Sequence, residues 1–356
     1  MRTGIADLPL HYGRAPRWLF ERMVKLAYHI VHAVVREEGP EGFIKKVSDP
    51  VWFQSLGCVL GFDWHSSGLT TTLCGALKEG LKGKGQELGV LIAGGKGRVS
   101  RKTPGEIQKY SHQFSFSPEK LVYASRMSAK VDSAALQDGY QLYHHTFIFT
   151  PSGTWAVIQQ GMDLSSGWAR RYHWLSSSLE DFVCEPHSGI CCNHQGQVLN
   201  LVARESNRVR IHSTLLSREK PEKIIRELKH LPRLKLPMEH RIFFSRLCQK
   251  TLNRILVKTY ENQPEHFRHL LGLEGVGPRT IRALALLSEL IFGERASRLD
   301  PVTYSFAHGG KDGHPYPVDR GTYDRSIEII RKAIMEARLG QREKMDALKR
   351  LKGLLF

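Results

Sequence analysis

Between residues 60 and 190 the carboxylate and imidazole side chains gather in short motifs. Asp63 and His65 stand two apart, so an extended segment sets both on one side. Asp132 follows Lys130-Val131, and Asp138 sits in Gln137-Asp138-Gly139. His144-His145 open a run of β character, Gln159-Gln160 lie on its expected partner, and Glu185 and His187 again stand two apart. Oxygen and imidazole donors in this mixture suit Mn²⁺ or Mg²⁺, more than one ion, better than zinc. Paired ions about 3.5–4 Å apart can activate water and neutralise a leaving oxygen, which points to phosphodiester hydrolysis. Lys96, Lys130, Arg170 and Arg171 are the candidates for gripping the scissile phosphate. Each has an ordinary reading too, since a surface carboxylate is usually solvated and a strand histidine is usually a bonded core residue. Alternation along a strand sends His144 and His145 to opposite faces, so at most one should enter a site built on one face.

The clearest local pattern is Leu273-Glu274-Gly275-Val276-Gly277-Pro278-Arg279-Thr280. Two glycines precede a helix-starting proline, between apolar stripes carried by Phe267, Leu270 and Leu271 on one side and Ile281, Leu284 and Ala285 on the other. It reads as a helix-hairpin-helix whose free N–H groups face an anion, naturally a DNA phosphate. Gly275, Val276, Gly277, Arg279 and Thr280 are the expected contacts, and they carry no sequence information. Lys plus Arg number 52 against 35 Asp plus Glu, a net charge of +17 that fits a polyanion partner such as double-stranded DNA.

No apolar run approaches the ~20 residues of a membrane helix and the first residues lack an apolar signal core, so a cytoplasmic protein is expected. The six cysteines form no C-x-x-C pair. His187, Cys191, Cys192 and His194 crowd together as alternative zinc donors, although adjacent cysteines suit one tetrahedral ion poorly.

The elements that must position these groups follow from periodicity and punctuation. Helices are expected from Pro16 to Glu38, stopped by Gly39-Pro40, from Asp49 to Leu60, and from Leu69 to Leu81. An apolar run from Leu88 to Ala93 feeds Gly94-Gly95-Lys96-Gly97, which lacks the spacing of a nucleotide-phosphate loop. Thr103-Pro104 and Ser117-Pro118 start two more helices. Tyr143 to Phe149 and Thr154 to Ile158 form a β-hairpin around Pro151-Ser152-Gly153, with further strands at Arg171 to Leu175 and Val198 to Val202. Basic helices follow from Ser206 to Leu216 and from Lys220 to Leu231. The expected fold class is α+β: a mixed α/β N-terminal domain over 1–215, a helical linker over 216–240, and an all-α helix-hairpin-helix domain over 241–356. Within the last, the loop from Asp300 to Tyr323 should pack across the domains, with Lys311 turned to phosphate.

Several stretches together resemble the bacterial and archaeal family named domain of unknown function 763. They are Thr3 to His11, Gly94-Gly95-Lys96-Gly97 with Ser100-Arg101-Lys102-Thr103-Pro104, Lys130-Val131-Asp132, Glu185-Pro186-His187, and Ser305 to Gly313. Metal-dependent DNA endonuclease activity, in a DNA-repair setting, is the function most consistent with the resemblance and the side chains. Two other readings compete. The chain also resembles helix-hairpin-helix DNA glycosylases, in which a catalytic aspartate lies downstream of the hairpin, where Asp300 stands here. Arg279 replaces the lysine of the bifunctional members, which removes Schiff-base chemistry. The third reading is a non-catalytic DNA-binding protein.

Overall fold

A computed structural model describes residues 15–62, 67–192, 194–230, 249–303, 328, 331–332, 334–335 and 340–355. Asp63, His65 and Lys311 lie outside the described residues.

The chain opens with α1 (Arg17–Ser48), α2 (Pro50–Val59) and α3 (Gly68–Gly80). The punctuation at Gly39-Pro40 is real but does not end the helical run. Gly39 takes φ 76°, outside the helical region, and a second helical segment resumes behind it, so α1 is kinked. After β1 (Leu91–Lys96) come α4 (Thr103–Lys109) and α5 (Glu119–Lys130), the latter running into a π-helical turn, Val131–Ala135. Short β2 (Leu136–Gln137) precedes three long strands, β3 (Gln141–Phe149), β4 (Trp155–Asp163) and β5 (Trp168–Leu175). β6 (Gly189–Cys191) and β7 (Leu199–Asn200) follow. The chain continues through α6 (Asn207–Ser217), α7 (Pro221–Leu228), α8 (Gln249–Asn262), α9 (Phe267–Gly272), α10 (Pro278–Phe292) and α11 (Gln341–Leu355).

The five-stranded sheet is antiparallel throughout, in the order β1-β3-β4-β5-β6, while β2 and β7 pair separately. Both faces of the large sheet are covered. Ile92, Ile148, Ala156, Ile158 and Leu175 pack against the apolar stripes of α1, α2 and α3. Leu91, Ala93, Phe147, Phe149, Trp155, Val157 and Trp174 pack on the opposite face. That second core is continuous with Met127 and Val131 of the α5 segment and with Leu270, Leu271, Ile281 and Leu284 of α9 and α10. The α+β class is therefore as expected. The apolar stripe of α9 and α10 is buried in the same core as the sheet. No described helix is long and apolar enough to cross a membrane.

Gly94-Gly95 serves as a sewn strand edge. The Gly94 N–H donates to Glu106 Oε2 at 2.8 Å and its carbonyl accepts from Lys78 Nζ at 2.7 Å, while Lys78 and Glu106 pair at 2.7 Å. Gly94 has φ 87°, and a Cβ there would lie 2.3 Å from the His145 carbonyl oxygen and 2.6 Å from Thr103 Oγ1. Gly94→Ala combines a left-handed backbone with a collision against another strand, so it should destabilise the fold by more than ~1 kcal/mol, read as a lower urea midpoint. A midpoint equal to wild type would show that the edge yields.

Candidate active site and nucleic-acid interface

Asp132 opens the π turn after α5 and is 1% exposed. Its carboxylate takes three donors. Gln159 Nε2 on β4 and Trp174 Nε1 on β5 donate to Oδ2 at 2.5 and 2.9 Å, and His187 Nε2 meets Oδ1 at 2.5 Å. The Trp174 ring stands edge-on to His187 at 4.7 Å. Since Gln159 gives its amide N–H to a carboxylate, its carbonyl oxygen accepts, and His145 Nδ1 supplies that hydrogen bond at 2.9 Å. His145 Nε2 is then the acceptor for Ser125 Oγ at 2.9 Å. A chain of hydrogen bonds thus runs Ser125, His145, Gln159, Asp132, His187, with every proton position fixed up to His187. The last of these is set by the turn after Glu185, which takes φ 45°.

Asp138 belongs to a neighbouring cluster. Arg170 donates from Nη1 to Asp138 Oδ2 at 3.0 Å and from Nη2 to Asp300 Oδ2 at 2.7 Å, and Tyr172 Oη also donates to Asp138 at 2.7 Å. Burial pushes the Asp138 pKa up, against the opposing pull of Arg170. Burial also works against the Arg170 charge, but Asp138 with Tyr172 and Asp300 holds its pKa well above the usual value. Asp300 further accepts from the Gly196 and Val302 N–H groups. Its carboxylate is an internal counter-ion, 6% exposed. That placement speaks against the glycosylase role.

The opposite face of the sheet receives the other half of the expected site. His144, Gln160 and Arg171 are successive cross-strand neighbours there, with Lys96 beside His144 at the edge. His144 and His145 do part to opposite faces, as alternation requires, and so do Arg170 and Arg171. Glu185 is exposed and pairs with Arg204 at 3.3 Å. The expected ligands therefore fall into separate groups, and Asp132 already spends both oxygens on protein donors. Among the described residues no three His, Cys, Asp or Glu side chains are placed to hold a metal ion. The proposed Mn²⁺ or Mg²⁺ centre finds no support in this donor set, and the zinc alternative at His187, Cys191, Cys192 and His194 finds none either.

Lys130 also has a different task. Its Nζ donates to the carbonyls of Leu273 and Val276 in the turn between α9 and α10, and burial lowers its pKa. Gln137 grips the same turn from the next element, donating to the Pro278 carbonyl at 2.9 Å and accepting from Arg282 Nε at 2.6 Å. The turn joins α9 to α10. Gly275 takes φ 88° and is exposed, Gly277 precedes Pro278 at the first position of α10, and no side chain caps that helix. Arg279 is exposed, whereas Val276 and Thr280 are 1% and 2% exposed, so these two can offer only backbone to a ligand. Glu274 brings a negative charge to the turn, but Lys258 of α8 pairs with it at 2.8 Å and holds its carboxyl below the usual range.

The family model described as protein of unknown function (DUF763) matches residues 4–318. The chain belongs to the DUF763 family. No curated relative and no solved structure matches it. For this DUF763 member, sequence reasoning missed Ser125, Tyr172 and Trp174. Ser125 lies seven residues before Asp132, two turns along one helix face, and Tyr172 and Trp174 alternate with Arg171 and His173. Both spacings were visible.

Three buried histidines give this chain's fold a pH signature. Burial lowers the pKa of His144 to about 3, with His145 and Lys96 adding to the effect. Burial also lowers that of His145, and burial followed by Arg171 holds His173 well below the ordinary value. Each is neutral when folded and takes up a proton more readily when unfolded. Their contribution is thus complete above about pH 6.5 and lost as pH falls, by up to roughly 1.4 kcal/mol per pH unit for each histidine. Urea midpoints should fall between pH 6.5 and 5, above the ordinary carboxylate range. A flat profile there would contradict the buried neutral state.

Proposed function

We propose that this protein binds double-stranded DNA, without strong sequence preference, through the turn between α9 and α10. The observation that carries the reading is the exposed, uncapped N-terminus of α10 beside Gly275 and Gly277, on a turn whose inner carbonyls are held by Lys130 and Gln137. Its outward N–H groups are arranged for an anion, and the helix dipole favours one there. Arg279 is exposed beside the turn, and Arg254 and Lys258 of α8 lie by Glu274, so cations surround the place where a phosphate would sit. The net charge of +17 supplies long-range attraction.

Fluorescence anisotropy with duplexes of unrelated sequence tests this directly. Wild type should bind all of them similarly, with affinity falling steeply as salt rises. Changing Gly275 and Gly277 together to valine should weaken every duplex roughly tenfold, about 1.4 kcal/mol, and leave the salt dependence nearly unchanged, because no side-chain charge is removed. Equal affinity in a variant that keeps its melting temperature would remove the turn from the interface.

A second reading, hydrolysis of the bound strand, is favoured by one observation: the Asp132–His187 pair on the segment that docks the turn. With Nε2 held by Asp132, the His187 ring has Nδ1 left as a proton acceptor, the arrangement of a general base oriented by a carboxylate. Plasmid nicking with Mn²⁺, with Mg²⁺ and with EDTA reads out the reaction and its metal requirement together. His187→Ala should abolish nicking while duplex binding persists. Nicking at the wild-type rate in His187→Ala would move the chemistry elsewhere, and tight binding with no nicking under any condition would leave a non-catalytic DNA-binding protein.

A further inference from the structure

The guanidinium of Arg171 is fully buried between β5 and the helices α2 and α3. Nη1 donates to Gln54 Oε1 at 2.9 Å and to Thr70 Oγ1 at 3.4 Å, and the Phe53 ring covers the group at 4.9 Å. Nε and Nη2, which form one edge of the planar fork, have no oxygen or nitrogen partner, and the buried thiols of Cys191, its cross-strand neighbour, and Cys74 stand near the group. Among the described residues no Asp or Glu forms an ion pair with Arg171, in contrast to Arg170, which has two. Other buried polar atoms in the same layer also lack partners: Nδ1 of His144, Oε1 of Gln160 and Oγ of Ser55, whereas the His173 ring lies against the backbone of Val47 and Ser48. His144, Gln160 and Arg171 stand in one cross-strand row, and His173 follows Arg171 on the same face.

A guanidinium cannot shed its proton, and burying it without a counter-charge is strongly unfavourable. Its free Nε–Nη2 edge is the shape that takes two oxygens of one anion side by side. We propose that this layer binds a tetrahedral oxyanion of phosphate or sulfate size, gripped by that edge of Arg171. Neutral His144 and the Ser55 hydroxyl act as further donors. Gln160 Oε1 is an acceptor, and it takes a hydroxyl of the protonated anion or a water. These atoms are closed off from solvent, so the ligand is a free inorganic anion and not a nucleotide or a DNA strand. The inference uses no residue of the α9–α10 turn and stands whether or not DNA binds there.

The test starts from full-length protein exchanged into buffer free of phosphate and sulfate. Melting is followed as inorganic phosphate, sulfate or chloride is added at constant ionic strength. Phosphate or sulfate should raise the melting temperature saturably by several degrees while chloride does not, as expected for a ligand of the folded state, and the tighter binder identifies the anion. Arg171→Gln should abolish the rise, whereas the double variant Gly275→Val, Gly277→Val should keep it. If Arg171→Gln does not fold, phosphorus-31 NMR of wild type decides, with a shifted resonance for bound phosphate that weakens in Ser55→Ala. Equal melting in all three salts with no shifted resonance would overturn the proposal and leave the cluster to water. A rise that survives Arg171→Gln would overturn it as well, by placing the anion elsewhere.

Discussion

A single buried carboxylate can accept about four hydrogen bonds, and the region around Asp132 is organised by how those places are filled. One donor comes from β4, one from β5, and one from the turn that follows β5 toward β6. The indole N–H of Trp174 and the amide of Gln159 would otherwise be stranded in the core, since polar groups removed from water need partners. Because Asp132 only accepts, it dictates which way Gln159 points, and through Gln159 which nitrogen of His145 carries hydrogen. The side-chain chemistry of four elements is thereby decided at one atom group. The π turn matters for the same reason. It lodges Asp132 inside at the end of a helix that already buries the polar residues Ser125 and Ser128.

Much of the scaffold was legible in the sequence. Proline and glycine marks located the starts of α2, α4 and α10, and the β3–β4 hairpin was readable from its alternation and from Pro151-Ser152-Gly153. The kinked continuation of α1 was not, because a glycine-proline pair reads as a stop whether or not a new helical segment begins behind it. Nor were β2, β6 and β7 fully legible, at two or three residues each, since so few positions carry no periodicity. The candidate site was legible as a list of residue types but not as a constellation. Carboxylates and imidazoles close in sequence were assumed to converge. A two-sided sheet divides them by parity instead, and Arg170 and Asp300, distant in sequence, meet because charges inside a core must find one another.

The same parity explains the contrast between the two faces. Arg170 is matched by Asp138 and Asp300, while its neighbour Arg171 donates from Nη1 to the neutral Gln54 and Thr70 and, among the described residues, forms no ion pair with Asp or Glu. Adjacent arginines of identical chemistry thus occupy opposite electrostatic conditions, set by which side of β5 each one leaves.

The grip of Lys130 and Gln137 on the carbonyls around Gly275 decides whether the turn could be moved to another protein. Many nucleic-acid-binding units spread between proteins as self-contained cassettes, joined by linkers that few contacts cross. Here the outer rim of the turn is exposed, while its inner rim is tied to residues more than a hundred positions earlier in the chain. Grafting α9 and α10 onto another protein would strand those carbonyls and uncover Leu270, Leu271, Ile281 and Leu284. A transplant of the turn would therefore have to carry the sheet core with it.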